Sequence, residues 1–273
     1  MMRFALFGNP VAQTLSPLMH NAALAAMGIA GSYEAILAED LAGPVQSLRD
    51  GRLDGASVTI PFKETVMDLL DGLDGEAEEI GAVNTIVRRD GRLDGFNTDG
   101  KALFLSLADV LSMAGRTFAI LGTGGTARAA LHAVRRGGGK PIVFGRTPEK
   151  VRELAGRWGC PGYAFAELAA VRADVVINTT PVGMGLRADE TPLDARLLRE
   201  CPAEWVVDVI YRPLRTRLLR EAEAAGRMTL GGVEMFVRQG AEQFRLWTGA
   251  EPPVSLMREV VLKKLQEEEA STS

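Results

Sequence analysis

The densest chemistry in this sequence lies between Gly122 and Lys150, where residue types and spacing match what a dinucleotide needs. Gly122-Thr123-Gly124-Gly125-Thr126-Ala127 follows an apolar run, Phe118 to Leu121, and precedes a helical pattern that continues to Val134. In this strand–turn–helix context Gly122 permits the tight turn, Gly124 lets backbone approach phosphate, and Ala127 keeps helix and strand close. The N–H groups that open the helix then face a diphosphate. A second strand, Pro141 to Phe144, runs into Gly145-Arg146-Thr147, with Lys150 three residues on. An NAD site places a carboxylate there for the ribose hydroxyls. Two cations and a hydroxyl suit a 2′-phosphate instead, so the spacing predicts NADP. The plain alternative is a tight turn beside a solvated Arg146, and the flanking elements at the expected spacing weigh against it.

A second set of polar residues lies upstream. Ser57-Val58-Thr59-Ile60-Pro61-Phe62-Lys63 reads as a β-branched strand that stops at Pro61, with Lys63 opening a helix over 63–70. A cation in the first turn of a helix opposes the dipole, so Lys63 is either placed for a task or reaching for water. Thr14-Leu15-Ser16-Pro17 offers hydroxyls two apart before a helix, Ala82-Val83-Asn84-Thr85 an amide at a strand start, and Asn97-Thr98-Asp99-Gly100 a carboxylate at a helix mouth. Each has a structural alternative: Ser16 before Pro17 and Asp99 before Lys101 are good N-caps, and Asn84 suits a turn. Capping need not exclude a ligand, because a helix start is also an anion site.

Taken together, these segments resemble the shikimate dehydrogenase family. The likeness runs from Phe7-Gly8-Asn9-Pro10 to Leu246-Trp247-Thr248-Gly249, with the motifs above, the glycine loop, Asp208-Val209-Ile210-Tyr211 and Gly232 to Gln239 in the family's order. The resemblance implies NADPH-dependent reduction of 3-dehydroshikimate to shikimate, in aromatic amino-acid biosynthesis. It implies Lys63 and Asp99 as the catalytic pair at the carbonyl being reduced. By the same resemblance Thr14 and Ser16, assisted by Tyr211, hold the substrate carboxylate, while Thr59, Asn84 and Gln239 bind ring hydroxyls. Val209 and Gly232 join Gly122 to Ala127, Gly145, Arg146, Thr147 and Lys150 around the cofactor, and Pro181 to Gly185 form a nicotinamide-side loop. The residue types make chemical sense. A polyhydroxylated ring acid calls for a hydroxyl- and amide-lined site, and an ammonium beside the carbonyl stabilises the developing charge and delivers a proton.

The sequence departs from the family pattern at four places. Thr14 stands where serine is commoner, Ser57 replaces asparagine before Val58-Thr59, Gly145 replaces the asparagine of Asn-Arg-Thr, and Lys150 replaces arginine. The last two keep the charge but weaken bidentate recognition of phosphate, which bears on NADP over NAD. Two other functions stand beside the first. A quinate or dual quinate/shikimate dehydrogenase would differ around the carboxylate, where Thr14, Ser16 and Tyr211 decide. A non-catalytic NADP-binding redox sensor would need neither Lys63 nor Asp99.

The elements that must position these groups alternate. Strands are expected at 3–7, 33–37 and 56–60 and helices at 17–27 and 41–49, followed by an antiparallel hairpin of 83–88 and 92–96 about Arg89-Asp90-Gly91 at one edge of a mixed sheet. A connecting helix over 101–113 leads to the dinucleotide domain. That domain continues with a helix at 148–158, strands at 175–178 and 205–209 and a helix at 214–225; two long helices at 233–247 and 253–269 close the chain, with the last four residues frayed. The expected architecture is α/β with two domains: a mixed-sheet substrate domain (1–99 and 233–273) and a Rossmann-type parallel-sheet NADP domain (100–232). The last helices would return to the first domain, and substrate would sit between the two.

Composition narrows the classes. With 273 residues and 47% hydrophobic content the chain can bury two ordinary cores. A net charge of −4 gives no reason to expect nucleic acid or an anionic membrane as partner. Met1 to Gly8 has too short an apolar stretch for a signal-peptide core, and no run is long enough to span a bilayer. The two cysteines, Cys160 and Cys201, and the two histidines, His20 and His132, lack metal-ligand spacing, so no metal is expected. Reduced thiols and a cytoplasmic monomer or homodimer are the corresponding expectations.

Overall fold

The computed structural model describes residues 1–193, 195–200 and 203–272; Cys201 and the terminal Ser273 lie outside them. The chain divides into two compact units. One comprises Met1–Asp99 with Val237–Lys264, the other Gly100–Phe236 with the chain from Leu265 on.

In the first unit, β1 (Met2–Gly8), α1 (Ser16–Ala26), β2 (Gly31–Leu37), α2 (Ala42–Arg49) and β3 (Gly55–Val58) come in turn. They are followed by β4 (Gly72–Leu73), α3 (Gly75–Ile80), β5 (Thr85–Arg89) and β6 (Arg92–Phe96). The strands form one sheet in the order β2-β1-β3-β5-β6-β4. Strand β1 is parallel to both neighbours, while β3–β5 and β5–β6 are antiparallel, so the sheet is mixed. Ala5, Phe7, Ala56, Val58, Ile86 and Leu93 turn one face into a core with Leu41, Val45 and Leu48 around α2, as the period of two demands.

Three sequence expectations are corrected here. The hairpin is not the sheet edge, because β4 pairs beyond β6; two residues are too few to show a periodicity. The helix expected over 63–70 is a 3-10 run, Thr65–Leu69, so Lys63 precedes it and the dipole argument does not apply. Ser16 is the first residue of α1 and not its cap, which is Leu15.

Helix α4 (Asp99–Ala108) crosses into the second unit after its first residue, and β7 (Thr117–Leu121), α5 (Gly125–Arg136), β8 (Lys140–Gly145), α6 (Pro148–Trp158) and β9 (Gly162–Ala164) follow. The unit continues with β10 (Val175–Asn178), α7 (Ala195–Glu200), β11 (Trp205–Asp208), α8 (Arg217–Ala224) and β12 (Met228–Leu230). Its strands lie in the order β12-β11-β10-β7-β8-β9, all parallel. Renumbered from β7 this is 3-2-1-4-5-6, the doubly wound order that binds dinucleotides where the winding reverses. Phe118 and Ile120 enter one core and Ala119 and Leu121 the other; a parallel sheet covered on both faces needs this continuous apolar run. Helix α4 stops at Ala108, five residues short of the expectation, and the buried Leu111 and Met113 that extended the helical pattern are packed from a loop.

Helices α9 (Val233–Thr248) and α10 (Val254–Thr272) close the chain. Helix α10 runs three residues past the expected end at Glu269, so the segment expected to fray is helical through Thr272. Cys160 is half-buried, and burial pushes its thiol pKa up, away from the reactive thiolate.

Candidate active site

The first unit brings Lys63, Asn84 and Asp99 together. Lys63 Nζ donates to Asp99 Oδ2 at 2.5 Å, and the two side chains are only 12% and 6% exposed. Asp99 Oδ1 accepts from Asn84 Nδ2 at 2.9 Å. Local backbone fixes all three. The Lys63 carbonyl accepts from Val83 N–H, and the Asn84 carbonyl accepts from Val58 N–H beside the β3–β5 pairing. Asn97 Oδ1 accepts from Asp99 N–H at the start of α4 while its amide donates to the Ala82 carbonyl. Asp99 therefore opens the helix with its carboxylate turned to Lys63 and Asn84.

Gln239 Oε1 lies 3.5 Å from Asn84 Nδ2, so it joins this cluster from α9. Thr14 and Ser16 form a second group: Thr14 Oγ1 donates to Ser16 Oγ at 3.1 Å and accepts from Ser16 N–H at 3.2 Å. Thr59 is half-buried just beyond β3, its N–H bonded to the Phe7 carbonyl. Its methyl occupies the space beside Gly8, where a Cβ would come within 2.2 Å.

In the second unit Gly122 has φ +126°, and a Cβ there would meet Thr179 Oγ1 at 2.6 Å, so only glycine makes this turn. Gly124 is the N-cap of α5, with no side-chain cap bond. No N-cap side chain covers the first N–H groups of the helix, and Thr123 and Thr126 beside them are half-buried. Ala127 is buried and lets the helix lie close on β7. Gly145 ends β8, and Arg146, Thr147 and Lys150 are exposed at the opening of α6. Gly232 lies against Val209, whose carbonyl oxygen would be 2.2 Å from a Cβ at Gly232. Tyr211 stacks on Phe236 at 3.9 Å between ring centroids. The region is built for an anionic cofactor: a glycine turn at the strand end, an uncapped helix start, and cations at the neighbouring strand end.

Several polar residues gain a role beyond the motif or strand end in which the sequence places them. Asp208 is fully buried at the end of β11, where it accepts from Thr216 Oγ1 at 2.7 Å, Asn178 Nδ2 at 3.0 Å and Ile210 N–H at 3.1 Å. Burial pushes its carboxyl pKa up to about 7, against the three hydrogen bonds that favour the anion. Asn178 Oδ1 accepts from Thr180 N–H and Oγ1, holding the turn after β10. Thr216 caps α8 through Leu219 N–H. The available signal was a polar residue ending an otherwise apolar strand, Val175 to Asn178 and Trp205 to Asp208. Thr85 and Gln243 also line the Asn84 cluster; Gln243 stands four residues after Gln239 and shares its helix face. Among the described residues no cluster of His, Cys, Asp or Glu could hold a metal, and no helix is long and apolar enough to cross a membrane.

Known proteins match this chain over nearly its whole length. Residues 6–86 match the shikimate dehydrogenase substrate binding domain, and residues 232–262 match the shikimate 5'-dehydrogenase C-terminal domain. The shikimate dehydrogenase (NADP(+)) of Moorella thermoacetica is 43% identical over 271 residues, covering 94% of this chain and 91% of that protein. The crystal structure of shikimate 5-dehydrogenase from Thermus thermophilus in complex with NADP(H) and shikimate has a TM-score of 0.86 at 40% identity, covering 96% of this chain and 99% of that one. Quinate dehydrogenase from Corynebacterium glutamicum in complex with NAD has a TM-score of 0.85 at 31% identity, with coverage of 96% and 99%.

Proposed function

The chain belongs to the shikimate dehydrogenase family, and on that premise we propose that it catalyses the NADPH-dependent reduction of 3-dehydroshikimate to shikimate in aromatic amino-acid biosynthesis. The observation that carries the chemistry is the 2.5 Å contact between Lys63 Nζ and Asp99, almost withdrawn from water. Removing such a pair from solvent is costly, and a surface lysine would not need it. NADPH, when bound, supplies the hydride. Lys63 then holds the carbonyl oxygen as charge develops on it and delivers a proton from Nζ, in a site where a fixed charge acts more strongly than in water. Asp99 orients that ammonium, and Asn84 orients Asp99.

Thr14 and Ser16 are assigned to the substrate carboxylate, and Thr59, Asn84 and Gln239 to ring hydroxyls. Tyr211, stacked on Phe236, is assigned to assist at that carboxylate. The open start of α5 receives the diphosphate, and Arg146, Thr147 and Lys150 the 2′-phosphate. Val209 and Gly232, in close contact, are assigned to the cofactor, and Pro181 to Gly185 to its nicotinamide side.

Quinate is disfavoured as substrate, because relatives 38–43% identical over nearly the whole chain are shikimate dehydrogenases (NADP(+)). Retention of the Lys63–Asp99 pair speaks against a non-catalytic sensor. A cytoplasmic location and a monomeric or homodimeric state belong to the same reading, to be measured by cell fractionation and sedimentation. The deciding experiment follows NADP⁺ reduction by the purified protein with shikimate and quinate in parallel, and with NAD⁺ as alternative acceptor. Turnover of shikimate with NADP⁺ is the expected result. Preference for quinate, or inactivity with both acids, would overturn the substrate assignment.

A further inference from the structure

A continuous chain of buried side chains leads from the core of the first unit to Asp99. Tyr33 Oη donates to Ser57 Oγ at 2.7 Å, and Ser57 Oγ donates to Gln243 Oε1 at 2.9 Å. Gln243 Nε2 donates to Thr85 Oγ1 at 3.0 Å, Thr85 Oγ1 to Asn84 Oδ1 at 2.8 Å, and Asn84 Nδ2 to Asp99 Oδ1 at 2.9 Å. Tyr33, Ser57, Gln243, Thr85, Asn84 and Asp99 are each at most 4% exposed. Ser57 and Thr85 are register partners across β3 and β5, which lets one amide from α9 bridge both hydroxyls.

The sense of every bond is dictated by groups that have only one. The Asn84 backbone carbonyl can only accept, and it takes Gln243 Nε2 at 3.1 Å. The other end of that amide, Oε1, is thereby turned to Ser57. Thr98 N–H can only donate, and it meets Asn84 Oδ1 at 2.8 Å, so Asn84 Nδ2 is turned to the Asp99 carboxylate. Thr85 then sits between an amide donor and an amide acceptor, and its hydroxyl, elsewhere free to rotate, has one orientation. All hydrogens in the chain point toward Asp99, the arrangement in which each bond polarises the next.

We infer that Thr85 and Gln243 are positioning residues for the Lys63–Asp99 pair, locking the Asn84 amide so that its N–H groups face the Asp99 carboxylate. The inference rests on the reading of Lys63 and Asp99 as the groups that carry the proton transfer. Apolar side chains of the same size would fill this space without the cost of burying polar atoms, and the chain instead spends a tyrosine, a serine, a threonine and two amides to reach one carboxylate. Neither Thr85 nor Gln243 needs to touch substrate for this.

The test is the steady-state kinetics of Thr85→Val, which keeps β-branching and volume but loses the donor, beside Thr85→Ser, which restores it. Gln243→Met removes the bridging amide and serves if Thr85→Val does not fold. Each is assayed with shikimate and NADP⁺ below its unfolding transition, with NADP⁺ affinity measured by fluorescence. Thr85→Val and Gln243→Met are expected to lower kcat about tenfold, the rate equivalent of one hydrogen bond. NADP⁺ affinity stays unchanged, and Thr85→Ser keeps at least about half of the parent kcat, since the hydroxyl donor is retained. A kcat at the parent value in both Thr85→Val and Gln243→Met, with only the melting temperature lowered, would overturn the inference. Lys63→Met measured alongside separates the two layers. If it abolishes turnover while Thr85→Val and Gln243→Met keep the parent kcat, the positioning role alone falls. If Lys63→Met retains turnover, the catalytic pair falls and the positioning role with it.

Discussion

The side-chain amide of Asn178 donates to the buried carboxylate of Asp208 across 3.0 Å, and the two are register partners at the ends of β10 and β11. Each then reaches into the segment that follows its own strand: Asn178 to Thr180 and to the Val182 carbonyl, Asp208 to Ile210 and Thr216. One buried pair thus ties down the turn after β10 and the stretch that carries Val209 and Tyr211. Both lie where a doubly wound sheet meets its ligand.

The pair has a signature in pH. Burial raises the Asp208 pKa from 3.8 to about 7. Between those values the folded protein keeps a proton that the unfolded chain has lost, so the stability this carboxyl contributes at low pH is lost as pH rises toward 7, by at most about 1.4 kcal/mol per pH unit. Asp208→Asn removes the titration. Its melting temperature relative to the parent protein is expected to improve from about pH 4 to about pH 7 and to level off above that. A difference that stays constant over that range would show that Asp208 does not hold its proton in the fold.

His20 carries the opposite sign. It is fully buried, stacked on Tyr33 at 4.4 Å and tilted against Trp247 at 5.3 Å. Burial lowers its pKa from 6.5 to about 3, with Gln243 offsetting part of the effect. The neutral ring contributes stability that is complete above pH 6.5 and is lost as pH falls toward 3, because the unfolded chain takes up the proton first. His20→Phe keeps an aromatic ring in the stack. The variant should gain on the parent protein as pH is lowered from about 7 to about 4.5, measured by urea midpoints, and a parallel decline of the two would contradict a neutral His20.

Lys63 and Asp99 give the kinetic prediction. Lys63→Met deletes the proton donor and Asp99→Asn deletes the charge that orients it, while the glycine turn and Arg146 lie in the other compact unit. General acid catalysis is worth roughly 10²–10⁴ in rate. Both variants are therefore expected to lose kcat on that scale with NADP⁺ affinity, read by fluorescence titration, within about twofold of the parent protein. A loss of NADP⁺ binding in step with kcat would mean that the substitutions disturb folding and not chemistry.

The glycine turn and the elements around it were legible because their signal is local. A strand, Gly122 to Ala127 and α5 are contiguous, and helix α6 falls at the residues expected. The strand ends that flank it were legible for the same reason, as unbroken apolar runs such as Val175 to Ile177. Short elements were not: β4, β9 and β12 have two or three residues each, below the length at which alternation can be recognised. At Lys63 the sequence suggests a helix-dipole conflict that the fold does not contain; its placement comes from the Val83–Lys63 backbone bond and from Asp99, 36 residues away. Thr85 and Gln243 are 158 residues apart, and a contact of that range leaves no periodicity in the chain. Family resemblance reached Asn84 and Gln239, but the amide four residues beyond Gln239 became visible only through the bonds it makes.

Gly145 is the departure from family pattern with a steric reason. A Cβ at this position would lie 2.6 Å from Val151 Cγ2 and 3.0 Å from Thr123 Cγ2. Val151 is a buried residue of α6, one position after Lys150 in the helix's opening turn, and its β-branched side chain has little rotamer freedom to give way. Thr123 belongs to the glycine turn itself. Restoring the family residue is thus expected to harm this protein. Gly145→Asn should cost about 1–3 kcal/mol of stability as an overpacked site and weaken NADP⁺ binding, although asparagine adds a hydrogen-bonding group beside Arg146. Val151→Ala in the same chain makes room for the new side chain, so the double variant should be less unstable than the sum of the two single changes. Melting temperatures and NADP⁺ titrations of the four proteins in this cycle decide the matter. Strict additivity, or tighter NADP⁺ binding by Gly145→Asn alone, would show that glycine at this strand end is a matter of sequence drift and not of packing against Val151.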